Sequence, residues 1–299
     1  MSDFLIHTCV ESGEEIVDAL SEWIEQQTGI APGIYSTPDS PRVQTSIYQS
    51  PDDPRLLDVD TVRSFIAGLE SFGLDTGDAQ VSQNRTIRED WAESWKAHFH
   101  PIEVEDRMVV RPSWEPPPAS PSIIDIVIDP GLSFGTGHHQ TTHYCLSAMV
   151  RRIGKSGMPA SFLDAGTGSG ILAIAAARMG IPKVIAFDND PESIRVAIEN
   201  ATVNRVEFEV FEHDLATPHP TLEENGPFEM IAANILAETL VRYAAQLSAL
   251  VAPNGILLTA GILEDQFEPL SQCFNSHGLA LIEAVSDGPW KSGTFRKKG

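Results

Sequence analysis

Asp164, Gly166, Gly168 and Gly170 stand at alternate positions in FLDAGTGSGILAIAAARMG, residues 162–180. Glycines so placed let backbone N–H groups approach a ligand with no Cβ in the way. Gly170 is expected to let the following helix start tight against a sheet. The dinucleotide fingerprint is G-x-G-x-x-G; here the third glycine comes one position earlier, and an acid precedes the first by two. A carboxylate facing a pyrophosphate would repel it, whereas it suits a cofactor with a cationic end, such as the amino group of S-adenosyl-L-methionine (AdoMet). The spacing and the charge therefore count against a nicotinamide dinucleotide.

Asp188 lies 22 residues beyond Gly166, at the end of the apolar run KVIAFD. An acid at about that separation, on the tip of a second strand, can accept both ribose hydroxyls. Asp190-Pro191 behind it reads as a helix N-cap followed by proline at the first helical position. Asp214 closes VFEHD, where it could reach an adenine or simply shape a turn. Asn234 lies at the carboxyl end of the strand read in FEMIAANIL. Its amide oxygen can accept hydrogen bonds from a target amine and aim the lone pair, or it can cap the next helix.

A second glycine-rich stretch, DPGLSFGTGHHQTTHYCL (residues 129–146), precedes these. It could fold over a cofactor, with Phe134 against it and a hydroxyl of Thr141 or Thr142 bonded to it. His138, His139 and His143 invite a metal reading, since 139 and 143 are i, i+4 on a helix, but there is no HExxH acid and no nearby Cys or carboxylate supplies an obvious third ligand, so no metal is expected.

The elements that must hold these residues read as two domains and a connector. Residues 1–86 alternate strands and helices in the manner of a small α+β domain, such as a split βαβ. Its first helix sets Ile16, Ala19, Leu20, Trp23 and Ile24 on one stripe. Residues 87–105 form the connector, with Trp91, Trp95 and Phe99 every fourth residue along a helix stopped before Pro101. From 106 to 299 near-continuous apolar strands alternate with helices, which predicts a doubly wound α/β domain with ligands beyond the carboxyl ends of its strands.

Composition bounds the partners. The net charge of −22 over 299 residues opposes a sequence-independent grip on nucleic acid, so no direct nucleic-acid partner is expected. It would favour a basic partner by steering, or serve solubility alone. No apolar run is long enough to span a membrane, and MSDFLIHTCVESGEE has no basic, long-cored leader. Three scattered cysteines, Cys9, Cys145 and Cys273, make no disulfide framework. A cytoplasmic protein is expected, of undetermined oligomeric state.

Together, W-x3-WK-x2-F-x-P (Trp91 to Pro101), DPGLSFGTGHHQTT, DAGTGSGILAIAA, FDNDP and ANIL, in this order, resemble the PrmA family. These are the AdoMet-dependent methyltransferases of large-subunit ribosomal protein eleven. The likeness runs from about Ile87 to the closing GTFRKK. It implies a small substrate-recognition domain, a linker helix and a seven-strand AdoMet domain. It also implies methylation of lysine side chains and the N-terminal amine of that basic ribosomal protein. Carried onto this sequence, the cofactor contacts fall on Thr142, Gly166, Asp188 and Asn234, with Phe134 lining the pocket; Asp164 and Gly168 join them from the glycine motif, and Asn234 positions the amine. Another protein lysine, a small amine, or binding without transfer remain alternatives.

Overall fold

The computed structural model describes residues 4–30, 32–36, 42–71, 73–87, 101–129 and 140–299. The chain divides into two compact units, Met1–His98 and Phe99–Gly299. The connecting-helix stretch 88–100 and Phe134, His138 and His139 lie outside the described residues.

The first unit runs β1 (Phe4–Ser12), a 3-10 turn (Glu14–Ile16), α1 (Val17–Thr28), β2 (Gly33–Ser36), β3 (Val43–Gln49), α2 (Val59–Ser71) and β4 (Gln80–Ile87). Its sheet has the order β2-β3-β1-β4 and every pairing is antiparallel. Inserting β3 and β1 between the strands that each crossover joins is the split βαβ arrangement the alternation predicts. The core lies where α1 offers Leu20 and Ile24 and α2 offers Val62 and Ile66 to Val10 and Ile47 of the sheet. Strand β2 is unanticipated, because four residues between turns carry too little alternation to register.

The second unit opens with a small sheet of β5 (Ile102–Val104), β6 (Met108–Arg111) and β7 (Ile124–Val127). Ile102–Val104 therefore ends the segment read as a connector in a strand, antiparallel to β6. Next come α3 (Gln140–Ser156), β8 (Ser161–Ala165), α4 (Ile171–Met179), β9 (Lys183–Asp188), α5 (Pro191–Val203), β10 (Glu209–Glu212) and α6 (Pro220–Asn225). The chain closes with β11 (Phe228–Asn234), α7 (Ala237–Arg242), α8 (Ala244–Leu250), β12 (Val251–Leu263), α9 (Glu264–Ser276), β13 (Leu279–Asp287) and β14 (Trp290–Lys297). Tyr243 separates α7 from α8.

The seven strands lie in the order β10-β9-β8-β11-β12-β14-β13. Strands β10 to β12 are parallel, while β14 runs antiparallel to both β12 and β13. The sheet is thus mixed at one edge, because the short β13–β14 turn can only reverse the chain. Period-2 alternation splits each central strand between two buried faces. Phe162, Met230 and Leu258 face α3 and α4, while Leu163, Ile231 and Leu257 face α7, α8 and α9. Since both faces are covered, the strands read as continuous apolar runs. Chain order reverses between β8 and β11, and this opens a crevice at their carboxyl ends.

Candidate functional site

The crevice is built from the turn after β8. Gly166 and Thr167 donate their N–H groups to Phe187 O at 2.9 and 3.0 Å, which folds the turn over the end of β9. Gly166, Gly168 and Gly170 all have positive φ, at 78°, 52° and 82°. Space as well as backbone demands glycine at two of them. A Cβ at Gly166 would overlap Ile235 Cγ2. At Gly170 the neighbours at 3.0 and 3.1 Å are Ala197 Cβ and Cα, so this glycine admits α5 rather than bringing its own helix onto the sheet, as the sequence suggests.

Asp164 does not face the crevice. It is 1 % exposed and its Oδ2 accepts from Thr167 Oγ1 at 2.8 Å and Ala173 N at 3.0 Å, tying the turn to the first turn of α4. Its Oδ1 is buried with no hydrogen-bond partner. Burial pushes this carboxyl up to about 7; the two hydrogen bonds oppose the shift and the charge of Asp188 adds to it. The charge argument attached to Asp164 passes instead to Asp188 and Asp214, which line the main cavity.

Asp188 sits at the tip of β9, where its Oδ2 accepts from Gly168 N at 2.9 Å and its Oδ1 from Asp190 N at 3.1 Å. Each oxygen keeps lone-pair capacity for a ligand hydroxyl. Asp190 caps α5 as its spacing predicts, accepting from Glu192 N at 3.0 Å and Ser193 N at 3.3 Å, with Pro191 behind it. Asp190 is thus occupied by the helix, while Asp188 borders both cavities. Asp214 shapes a turn, its Oδ1 accepting from Ala216 N at 2.9 Å, and the residue also borders the cavity.

Asn234 ends β11. Its Nδ2 donates to Thr142 Oγ1 at 3.3 Å, and its Oδ1 is buried without a partner. It is not a helix cap, since Leu236 occupies the N-cap of α7 and no side chain bonds there. Thr142 itself is fully buried in the first turn of α3. The sequence thus brings residues 142 and 234 together across 92 positions.

Two cavities meet at these side chains. The larger, of about 520 Å³, is bounded by Phe187, Asp188, Asn189, His213, Asp214 and Leu215 at one end. Its other end holds Asn234, Leu236, Tyr243, Gly261 and Trp290. A smaller one of about 240 Å³ is lined by Thr142, Gly166, Thr167, Gly168, Leu172 and Asn234 among others. Gly166, Asp188, Asn234 and Ile235 border both. An elongated ligand with a flat aromatic part, a diol and a polar tail fits this plan.

Gly261, His213, Tyr243 and Trp290 belong to the site but carry no motif. Gly261 has φ 79°, and a Cβ there would stand 3.1 Å from Asn234 Oδ1. It sits where the β12–β14 register slips between Thr259 and Ile262. A glycine interrupting the apolar run GILLTAGIL is the one signal that could have marked it. His143 makes a 3.3 Å contact with the Glu103 carbonyl, and no group of three metal-ligating side chains exists among the described residues.

A family model described as "Ribosomal protein L11 methyltransferase (PrmA)" matches residues 39–298. A ribosomal protein L11 methyltransferase of Geobacter metallireducens is 43% identical over 206 residues, which is 69% of this chain and 66% of that protein. One from Citrifermentans bemidjiense is 37% identical over 302 residues, 95% of each chain. The crystal structure of a ribosomal protein L11 methylase from Lactobacillus delbrueckii subsp. bulgaricus superposes with a TM-score of 0.60. It has 31% identity and covers 67% of this chain and 100% of its own.

Proposed function

We propose, since the chain belongs to the ribosomal protein L11 methyltransferase (PrmA) family, that its crevice binds AdoMet and that Asn234 presents the acceptor amine. The enzyme is a class I methyltransferase that methylates ribosomal protein L11. The acceptors in this reading are lysine side chains and the N-terminal α-amine. The cytoplasm, where ribosomal proteins are made, is its proposed location; no helix among the described residues is long and apolar enough to cross a membrane.

The residues present fit the cofactor. Asp188 accepts from the ribose hydroxyls, and Phe187 and Leu215 offer apolar walls to the base, with Asp214 beside them. The turn from Gly166 to Gly168, with Thr142, lines the smaller cavity and receives the amino-acid end. Phe134, in the second glycine stretch, is a further pocket residue that the family likeness implies. Asp164 contributes at one remove, by holding the turn that Asp188 grips from the other side. When bound, AdoMet supplies a methyl group on a cationic sulfur.

Asn234 supports the reading most directly. A buried amide oxygen without a donor is costly, by about 1–3 kcal/mol, and is relieved by an incoming N–H. Thr142 holds the other end of the amide and so fixes which way that oxygen points. A lysine amine, ordinarily protonated with a pKa of about 10.4, must be neutral to attack. Desolvation at the crevice favours the neutral form. Orientation then carries the chemistry, and no general base on the protein is required.

The test is transfer of tritiated methyl groups to ribosomal proteins from cells lacking this enzyme, with mass spectrometry of the labelled bands. Label on lysines and the N-terminus of L11 is expected. Label confined to another protein, or AdoMet binding without transfer, would reject the acceptor assignment.

A further inference from the structure

Four cations converge in a chain that carries 42 acids against 20 bases. Arg151, Arg152 and Lys155 from the last turns of α3 and Arg296 from β14 line one cavity of about 360 Å³. Glu283 is the sole carboxylate among its described lining residues. That carboxylate is already engaged, since Arg151 donates to it at 3.3 Å while holding Glu105 at 2.9 Å. Arg152 spends one nitrogen on the Gly157 carbonyl at 3.3 Å. The cavity wall therefore carries three cations in excess, where a strongly acidic chain could have placed carboxylates against them.

Helix termini explain part of this and no more. Lys and Arg near the last turn of a helix are favourable to its dipole, which accounts for Arg152 and Lys155. Arg296 arrives from a strand, in the GTFRKK ending whose basic residues the methyl-transfer site does not use. None of the ten residues lining this cavity borders either cavity of the methyl-transfer crevice. The lining also includes two apolar residues, the buried Ile256 and the exposed Ile282. Like charges gathered in a concavity repel one another until an anion joins them, and guanidinium forks match phosphate oxygens in pairs.

We infer that this cavity, between the carboxyl end of α3 and the β13–β14 edge, binds a phosphate-bearing ligand of about nucleotide size. Arg152, Lys155 and Arg296 hold the phosphates, and Ile256 and Ile282 lie under the less polar part. A free nucleotide and the phosphodiester chain of RNA offer this same chemistry.

Calorimetric titration of the full chain with pyrophosphate, ATP and a short single-stranded ribo-oligonucleotide tests it, with sulfate at equal ionic strength as control. Saturable binding is expected for at least one probe. It should weaken at least tenfold in the double variant Lys155→Ala/Arg296→Ala, with AdoMet affinity and circular dichroism unchanged. Tighter binding of ATP identifies a free nucleotide as the source. Tighter binding of the oligonucleotide, with a salt slope lowered by about two in the variant, identifies RNA. Absence of saturable binding, a response equal to that of sulfate, or binding undiminished in the variant would overturn the inference.

Discussion

Ile235 occupies the volume that any side chain at Gly166 would need. The turn after β8 and the residue after β11 interlock at this point, so the crevice also joins two neighbouring strands at their tips. Gly166→Ala should therefore destabilise the protein by a few kcal/mol, through both the overlap and a φ of 78°. Adding Ile235→Ala should recover part of the loss and leave the backbone part. Urea denaturation of the two single variants and the double variant measures the coupling, expected at about 0.5–3 kcal/mol. Strict additivity would sink the interlock.

Asp188 accepts from Gly168 N–H, and in the proposed reading it also accepts from the ribose diol. Asp188→Ala removes both, and calorimetry should show AdoMet affinity reduced at least tenfold. Unchanged affinity would reject the ribose assignment.

Asn234 and Thr142 act as a pair. Asn234→Ala should lower kcat at least tenfold while AdoMet affinity changes by no more than a fewfold. Thr142→Val, which keeps the shape but loses the hydroxyl that orients the amide, should lower kcat less. Methyl transfer at the normal rate in Asn234→Ala would remove it from the mechanism.

Asp164 predicts a pH dependence. Its folded-state pKa is raised from 3.8 to about 7, chiefly by burial. The folded protein then binds the proton more tightly than the unfolded chain. This contribution to stability is fully present below about pH 4 and is lost as pH rises to about 7, with a ceiling of about 4 kcal/mol. Asp164→Asn keeps an acceptor for the turn but cannot ionise. The difference between wild-type and variant stability curves should slope across that window and flatten above it. A difference that stays level from pH 4 to 7 would contradict a buried, elevated carboxyl.

Much of this was legible along the chain. Strand β9 falls on the apolar run KVIAFD, and Asp190 caps α5 where Asp-Pro says it should. Local rules suffice there, because capping and alternation involve neighbours a few residues apart. The aspect of Asp164 was not legible. Its type and spacing fit a ligand-facing acid, yet it turns inward to Thr167 and Ala173. Trp290 and Gly261 were silent too, since neither sits in a motif, and both reach the crevice only because β12 and β14 pair.

The sequence by itself determined the α/β class, the glycine turn, the capping of α5 by Asp190, and the family. Each rests on short-range stereochemistry or on a motif read in order. The tertiary structure decided which acids line the crevice, that Asn234 is held by Thr142 rather than capping a helix, and that Gly170 yields to Ala197. Those outcomes depend on which distant residues share a volume, and volume is settled only when the sheet closes and the helices pack upon it.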